Sequence, residues 1–140
     1  MPTTTQIVSI ALYSIVGIIS LLMAKKTLTF DRFIPFHERA AGVSLEKLDQ
    51  RVQHVILALM RTTGLGFLVI GLLLLIFPPV AYLNPDQLGE LGIPIVCAIY
   101  CFGLSLANYR LHRQSDVATP WRGSLVATAM IVVGIIIARL

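Results

Sequence analysis

An all-α integral membrane protein, folded as a bundle of four transmembrane helices, is the fold class this sequence predicts, and three observations predict it. The 140 residues are 56% hydrophobic and only 13% charged. A water-soluble domain carries roughly 25% charged residues, and a chain this apolar lacks the polar side chains to cover itself in water. The apolar residues gather in four runs long enough to cross hydrocarbon, at about 6–24, 55–77, 93–109 and 121–139. Ten of the eleven Lys and Arg lie in or beside the connections that follow the first and third runs. Four spans use most of the chain, so residues 1–140 read as a single membrane domain.

The first run, Ile7 to Ala24, has no positive charge before it and Lys25-Lys26 directly after it. It is long for a secretory signal and is charged on the wrong flank, which predicts a membrane anchor with its N-terminus outside. Thr3, Thr4 or Thr5 can cap the helix, and the Lys pair suits its negative C-terminal end. The second run, Val55 to Phe77, is the membrane part of a longer helix predicted from Leu45, with Ser44 as N-cap and Glu46 in the first turn. Leu45, Leu48, Val52, Val55 and Ile56 recur at helical spacing, and no proline intervenes until Pro78-Pro79 closes the run. This helix is expected to extend about three turns into the cytoplasm.

The third run, Ile93 to Tyr109, follows Asn84-Pro85-Asp86-Gln87. That string reads as an N-cap, a proline at the first helical position, an acid in the first turn and a capping-box glutamine. It predicts a short outer helix, with Gly92 and Pro94 breaking or kinking the path before the span. The fourth run, Gly123 to Ala138, begins at Thr119-Pro120-Trp121, with Thr119 as cap, Pro120 at the first helical position and Trp121 at the lipid interface. Tyr82 is a second expected interfacial aromatic.

Orientation follows from the connections. Lys25, Lys26, Arg32, Arg39, Lys47, Arg51 and the boundary residue Arg61 belong to the first, and Arg110, Arg113 and Arg122 to the last. Between the second and third runs there is no Lys or Arg, only Asp86 and Glu90. The positive-inside bias therefore places both basic connections in the cytoplasm and both termini outside, in a bacterial-type inner or plasma membrane. The segment 28–42, LTFDRFIPFHERAAG, interleaves phenylalanines with charges, and Pro35 prevents one continuous helix. It reads as an interfacial segment on the cytoplasmic leaflet or as a cap folded over the inner mouth of the bundle.

Functional signals are sparse. A net charge of +4 suggests nucleic acid in a soluble protein, but here the basic residues flank apolar runs and no aromatic-basic patch accompanies them. Cys97 and Cys101 share one helical face, where disulfide geometry is unfavourable, and read as small packing residues. His37, His54 and His112 all fall on the cytoplasmic side and form a weak metal or haem candidate, with no recognised ligand spacing. His37-Glu38 is a candidate general base pair or proton relay, or a solvated loop. No nucleophile elbow, Cys-His arrangement or phosphate loop is present, and no cofactor is expected.

The four runs contain no Asp or Glu. The membrane-embedded glutamate of small multidrug transporters is therefore missing, as is the Asn- and Arg-rich second helix of the microsomal glutathione transferases. Gly64 and Gly71, seven apart, mark a close-packing face for another helix of this chain or for a partner. The site expected to bind a ligand or lipid headgroup is a cluster at the inner leaflet: Arg61, Asn108, Tyr109, Arg110 and Arg122, beside Trp121. The leading expectation is a structural or lipid-contacting subunit. Its partners are the phospholipid bilayer, anionic lipid included, and a homo-oligomer or larger membrane complex. The competing classes are an oligomeric channel or passive transporter, and an inner-leaflet enzyme or haem protein.

Overall fold

The structure, a computed structural model, describes residues 3–83 and 88–139, the side chains of 88 and 89 excepted. Every regular element among the described residues is helical. Helix α1 spans Thr4–Thr29, α2 Pro35–Ala41, α3 Gln50–Leu83, α4 Ile93–Ser115 and α5 Trp121–Ile137. A 3-10 turn at Leu45–Lys47 precedes α3, and a π turn at Leu88–Gly92 leads into α4. Three helical stretches, α1, α3 and Glu90–Ser115, are long and apolar enough to cross a membrane. The 17-residue α5 is a shorter apolar fourth, about 26 Å at the α-helical rise.

Thr3 starts α1 with a capping box: its hydroxyl accepts from the Gln6 N–H, and the Gln6 side chain accepts from the Thr3 N–H. The long helix departs from expectation at both ends. Leu45 does not begin it, and the Ser44 side chain caps nothing. Leu45 is buried, and the chain turns out of helical geometry before Asp49 restarts it. The Asp49 carboxylate accepts from the Arg51 N–H at 2.9 Å, and its carbonyl accepts from Gln53 N at 3.0 Å. A side-chain acceptor at this position competes with helix continuation and favours a new start.

At the other end Pro78-Pro79 does not stop α3, which continues to Leu83. The prolines remove the donors that would meet the carbonyls of Leu74 and Leu75, but Leu74 and Pro78 are buried and packing holds the helix through them. Gly92 keeps helical φ/ψ, so the chain passes from the π turn into α4 without the expected break at Gly92-Pro94. Asn84–Gln87, where a short outer helix was expected, lies outside the described residues. Thr119 does not cap α5 either: its hydroxyl donates to the Asn108 carbonyl at 2.8 Å, and Pro120 occupies the cap position.

The helices associate as two close pairs, α1 with α3 and α4 with α5, bridged by α1 against α5 and, more sparingly, by α3 against α4. Glycines set the first pair. A Cβ on Gly71 would stand 3.0 Å from the Gly17 carbonyl oxygen, and one on Gly17 would stand 3.2 Å from that of Gly71, so the backbones are in contact. Gly64, one heptad earlier, faces Thr27 and Leu28 of α1. The Gly64/Gly71 face is therefore used within the chain. Because Gly64 packs beside the end of α1, residues Gln50 to Thr63 run past that end.

All four long helices share one core: Tyr13 and Val16 from α1, Ile70 and Leu74 from α3, Cys97, Ala98 and Cys101 from α4, and Ile131 from α5. Both thiols are free. The outer faces are apolar too: Leu22, Ile99 and Val126 are each more than half exposed, as are many other aliphatic side chains on all four helices. Water is a poor solvent for so continuous an apolar belt.

Candidate functional site

The two helix pairs are joined unequally along their length. At one end, which holds the start of α1 and the end of α5, they are closed. Ser9 donates to the Gly134 carbonyl at 2.8 Å, and the Tyr13 ring lies where a Cβ on Gly134 would be only 2.6 Å from it. A cavity of about 60 Å³ remains at this end, among Gln6, Ser9, Tyr13, Tyr82, Glu90 and Arg139. Tyr13, 2% exposed, lines it, and its hydroxyl has no hydrogen-bond partner among the described residues.

Towards the other end the pairs part and enclose a chamber of about 510 Å³. Val16, Ser20, Met23 and Thr27 of α1 form one wall, and Ser124, Ala127 and Met130 of α5 face them. Thr63 and Phe67 of α3 and Cys101, Leu104 and Asn108 of α4 complete it. The lining is almost wholly apolar. Ile19 and Val126 also line it and are about half exposed, so the chamber opens sideways between α1 and α5 onto the apolar belt.

The segment after α1 lies over the end of the chamber. Ile34, Phe36 and His37 all line it, and Ile34 is buried. Pro35 fixes the start of α2, and Gly42, at φ +66°, terminates it in the left-handed conformation. The His37 ring sits 4.1 Å from that of Phe36, and burial among these groups pushes its pKa below the usual 6.5. The imidazole is therefore neutral at pH 7, a donor and an acceptor rather than a cation.

The predicted headgroup cluster is gathered in part. Tyr109 packs edge-on to Trp121 at 5.3 Å, and the Arg122 guanidinium rests 5.4 Å from the Trp121 ring centroid. Asn108 and Arg122 both line the chamber. The Asn108 amide donates to Leu104 in its own helix at 3.0 Å, and Ser105 ties α4 to α5 by donating to the Trp121 carbonyl at 3.0 Å. Arg61 does not line the chamber: it pairs with Asp31 at 3.2 Å, and both side chains are largely exposed. Arg110 is exposed and does not line the chamber.

The three histidines serve different surroundings. His54 is exposed on α3, His112 bonds the Val117 carbonyl at 2.8 Å in the α4–α5 connection, and only His37 reaches the chamber. No cluster of three His, Cys, Asp or Glu suited to a metal ion occurs among the described residues. Trp121 and Tyr82 lie towards opposite ends of the bundle, Tyr82 half-buried against the small cavity.

Ser20, Met23, Thr27, Phe36, Cys101 and Ala127 carry the chamber, and none stood out as a site residue in the sequence. Their only advance signal is small side chains, Ser20 on α1 and Ser124 and Ala127 on α5, which leave space only once those helices are known to face each other. An apolar enclosure with a few polar groups at one end has the make-up of a ligand pocket. Comparison with protein-family models, curated proteins and solved structures finds no match to this chain.

Proposed function

We propose that this chain is a four-span integral membrane protein that acts by binding lipid: it takes an apolar molecule from the surrounding bilayer into the chamber between its two helix pairs. The observation that carries the reading is the sideways opening of a 510 Å³ apolar enclosure at Ile19 and Val126, on a belt of exposed aliphatic side chains. A ligand dissolved in hydrocarbon reaches such an opening without crossing water. The first and last connections, which carry most of the basic residues, lie at the chamber end of the bundle, and the positive-inside bias makes that end cytoplasmic. The α5 helix, extended by Ala138 and Arg139, is then the fourth span, with Trp121 at the headgroup level.

Two measurements test this. Protein purified in mild detergent and sprayed intact into a mass spectrometer should carry a bound lipid-sized adduct, and Ala127→Phe, which fills the chamber, should lose it. Single cysteines at Lys47 and Gln114, in a chain lacking Cys97 and Cys101, should both be labelled from the cytoplasmic face only. Labelling from opposite faces removes the topology. An adduct that survives Ala127→Phe removes the chamber as the binding site.

A further inference from the structure

We infer that the chamber selects a single-chain amphiphile with an anionic head, its chain lying between α1 and α5 and its head beside Arg122. This rests on the lipid-binding reading and adds the class of ligand. The polar lining is unevenly distributed. The walls formed by Val16, Met23 and Met130 are apolar, whereas His37, Asn108 and Arg122 belong to the end where α2 closes over the bundle. A ligand satisfying both regions has one apolar and one polar end.

The charge of that end follows from what lines the chamber. Arg122 is its only charged lining residue among the described residues. It is exposed, rests on Trp121, and makes no ion pair among the described residues. His37, neutral at pH 7, and the Asn108 side chain supply further hydrogen-bonding capacity in the same enclosure. A guanidinium at the edge of an apolar enclosure favours a carboxylate or phosphate, which it can bond in bidentate fashion. The volume lies within the ~300–1,000 Å³ of pockets that hold one small molecule, which suits one chain better than two chains on a glycerol. A fatty acid and a long-chain alkyl or prenyl phosphate share this chemistry.

The test uses the full-length protein in detergent, with fluorescent cis-parinaric acid and its uncharged methyl ester as probes. The acid should bind about tenfold more tightly than the ester, the size expected for a hydrogen bond to a charged group. Arg122→Gln should abolish that preference, the acid losing far more affinity than the ester. Palmitate and dodecyl phosphate as competitors distinguish the two sources of negative charge, since the natural type displaces the probe at the lower concentration. Equal binding of acid and ester, or an equal loss of both in Arg122→Gln, overturns the anionic head and leaves the chamber standing. If neither probe binds a folded wild-type protein, the lipid-binding reading itself falls. Thermal unfolding measured alongside separates a lost site from a lost fold.

Discussion

The two ends of the bundle are built from the same four helices, yet one is packed closely around a cavity of about 60 Å³ and the other encloses a chamber of about 510 Å³. At the closed end a tyrosine ring fills the space left by Gly134, Ser9 bridges α1 to α5, and Leu74, Cys97 and Ile131 are fully buried. At the open end Ser20 and Ala127 stand where larger side chains would meet, and the α2 segment covers the gap. Apolar surface is plentiful at both ends. What differs is side-chain volume facing inwards, so the chamber is a matter of packing and not of hydropathy.

The largest expected effect tests the tight seam within the α1–α3 pair that stands behind the chamber wall. Gly71→Leu would drive a side chain into Leu21 and the Gly17 backbone, where even a Cβ stands 2.7 Å from Leu21 Cδ2. Overpacking a tight core costs about 1–3 kcal/mol when neighbours can shift. Here one neighbour is backbone, so the α1–α3 pair should separate and the detergent-solubilised protein should lose its cooperative thermal transition. Next comes Leu74→Ala, which removes a fully buried side chain and should cost roughly 2–5 kcal/mol, read as a lowered unfolding midpoint. Ala127→Phe, a similar gain in side-chain volume at the open end, should cost far less than either because it enters existing space. Equal destabilisation by Gly71→Leu and Ala127→Phe would erase the distinction between a packed seam and the chamber beside it.

The sequence made the helices legible but not the space between them. The long apolar stretches, the Thr3 cap and the Gly64/Gly71 face are local or periodic features, and each lies on its expected element. The partner of the glycine face was not legible, because Gly17 and Thr27 supply it from a helix separated from α3 by the whole first connection. Local rules failed where tertiary contacts outweighed them. Pro78-Pro79 stays helical because α3 is held by packing, and Thr119 turns from a capping role to the Asn108 carbonyl of the neighbouring helix. Arg61 and Asn108 share a level in the sequence-based topology. In the fold Asp31 captures Arg61 on the outside, while Asn108 faces the chamber.

A smaller effect probes the cover of the open end. Burial lowers the His37 pKa from 6.5, so the closed segment prefers the neutral ring. Its contribution to closure is complete above the unfolded value and is lost as pH falls through the lowered one. Acidification from pH 7.5 to below 6 should therefore loosen α2 over the chamber. Trp121, the single tryptophan, stands beside the lining residue Arg122 and reports the change through its emission. His37→Gln should flatten this pH response. A response that persists unchanged in the variant assigns it to other groups.

The smallest effect belongs to the Asp31–Arg61 pair, which ties the start of the covering segment to α3 from outside. At 3.2 Å its geometry is sound, but the side chains are 82% and 54% exposed. Solvent screening limits such a pair to about 0.2–1 kcal/mol. Asp31→Asn and Arg61→Gln should each shift the unfolding midpoint only slightly, and the double variant should match the sum of the two to within that small coupling. The variants should also leave methyl-ester binding intact, because neither residue lines the chamber. A strong loss of ester binding on breaking this pair would mean that the open end is held by its external strap rather than by Ile34 and Phe36 seated in the chamber.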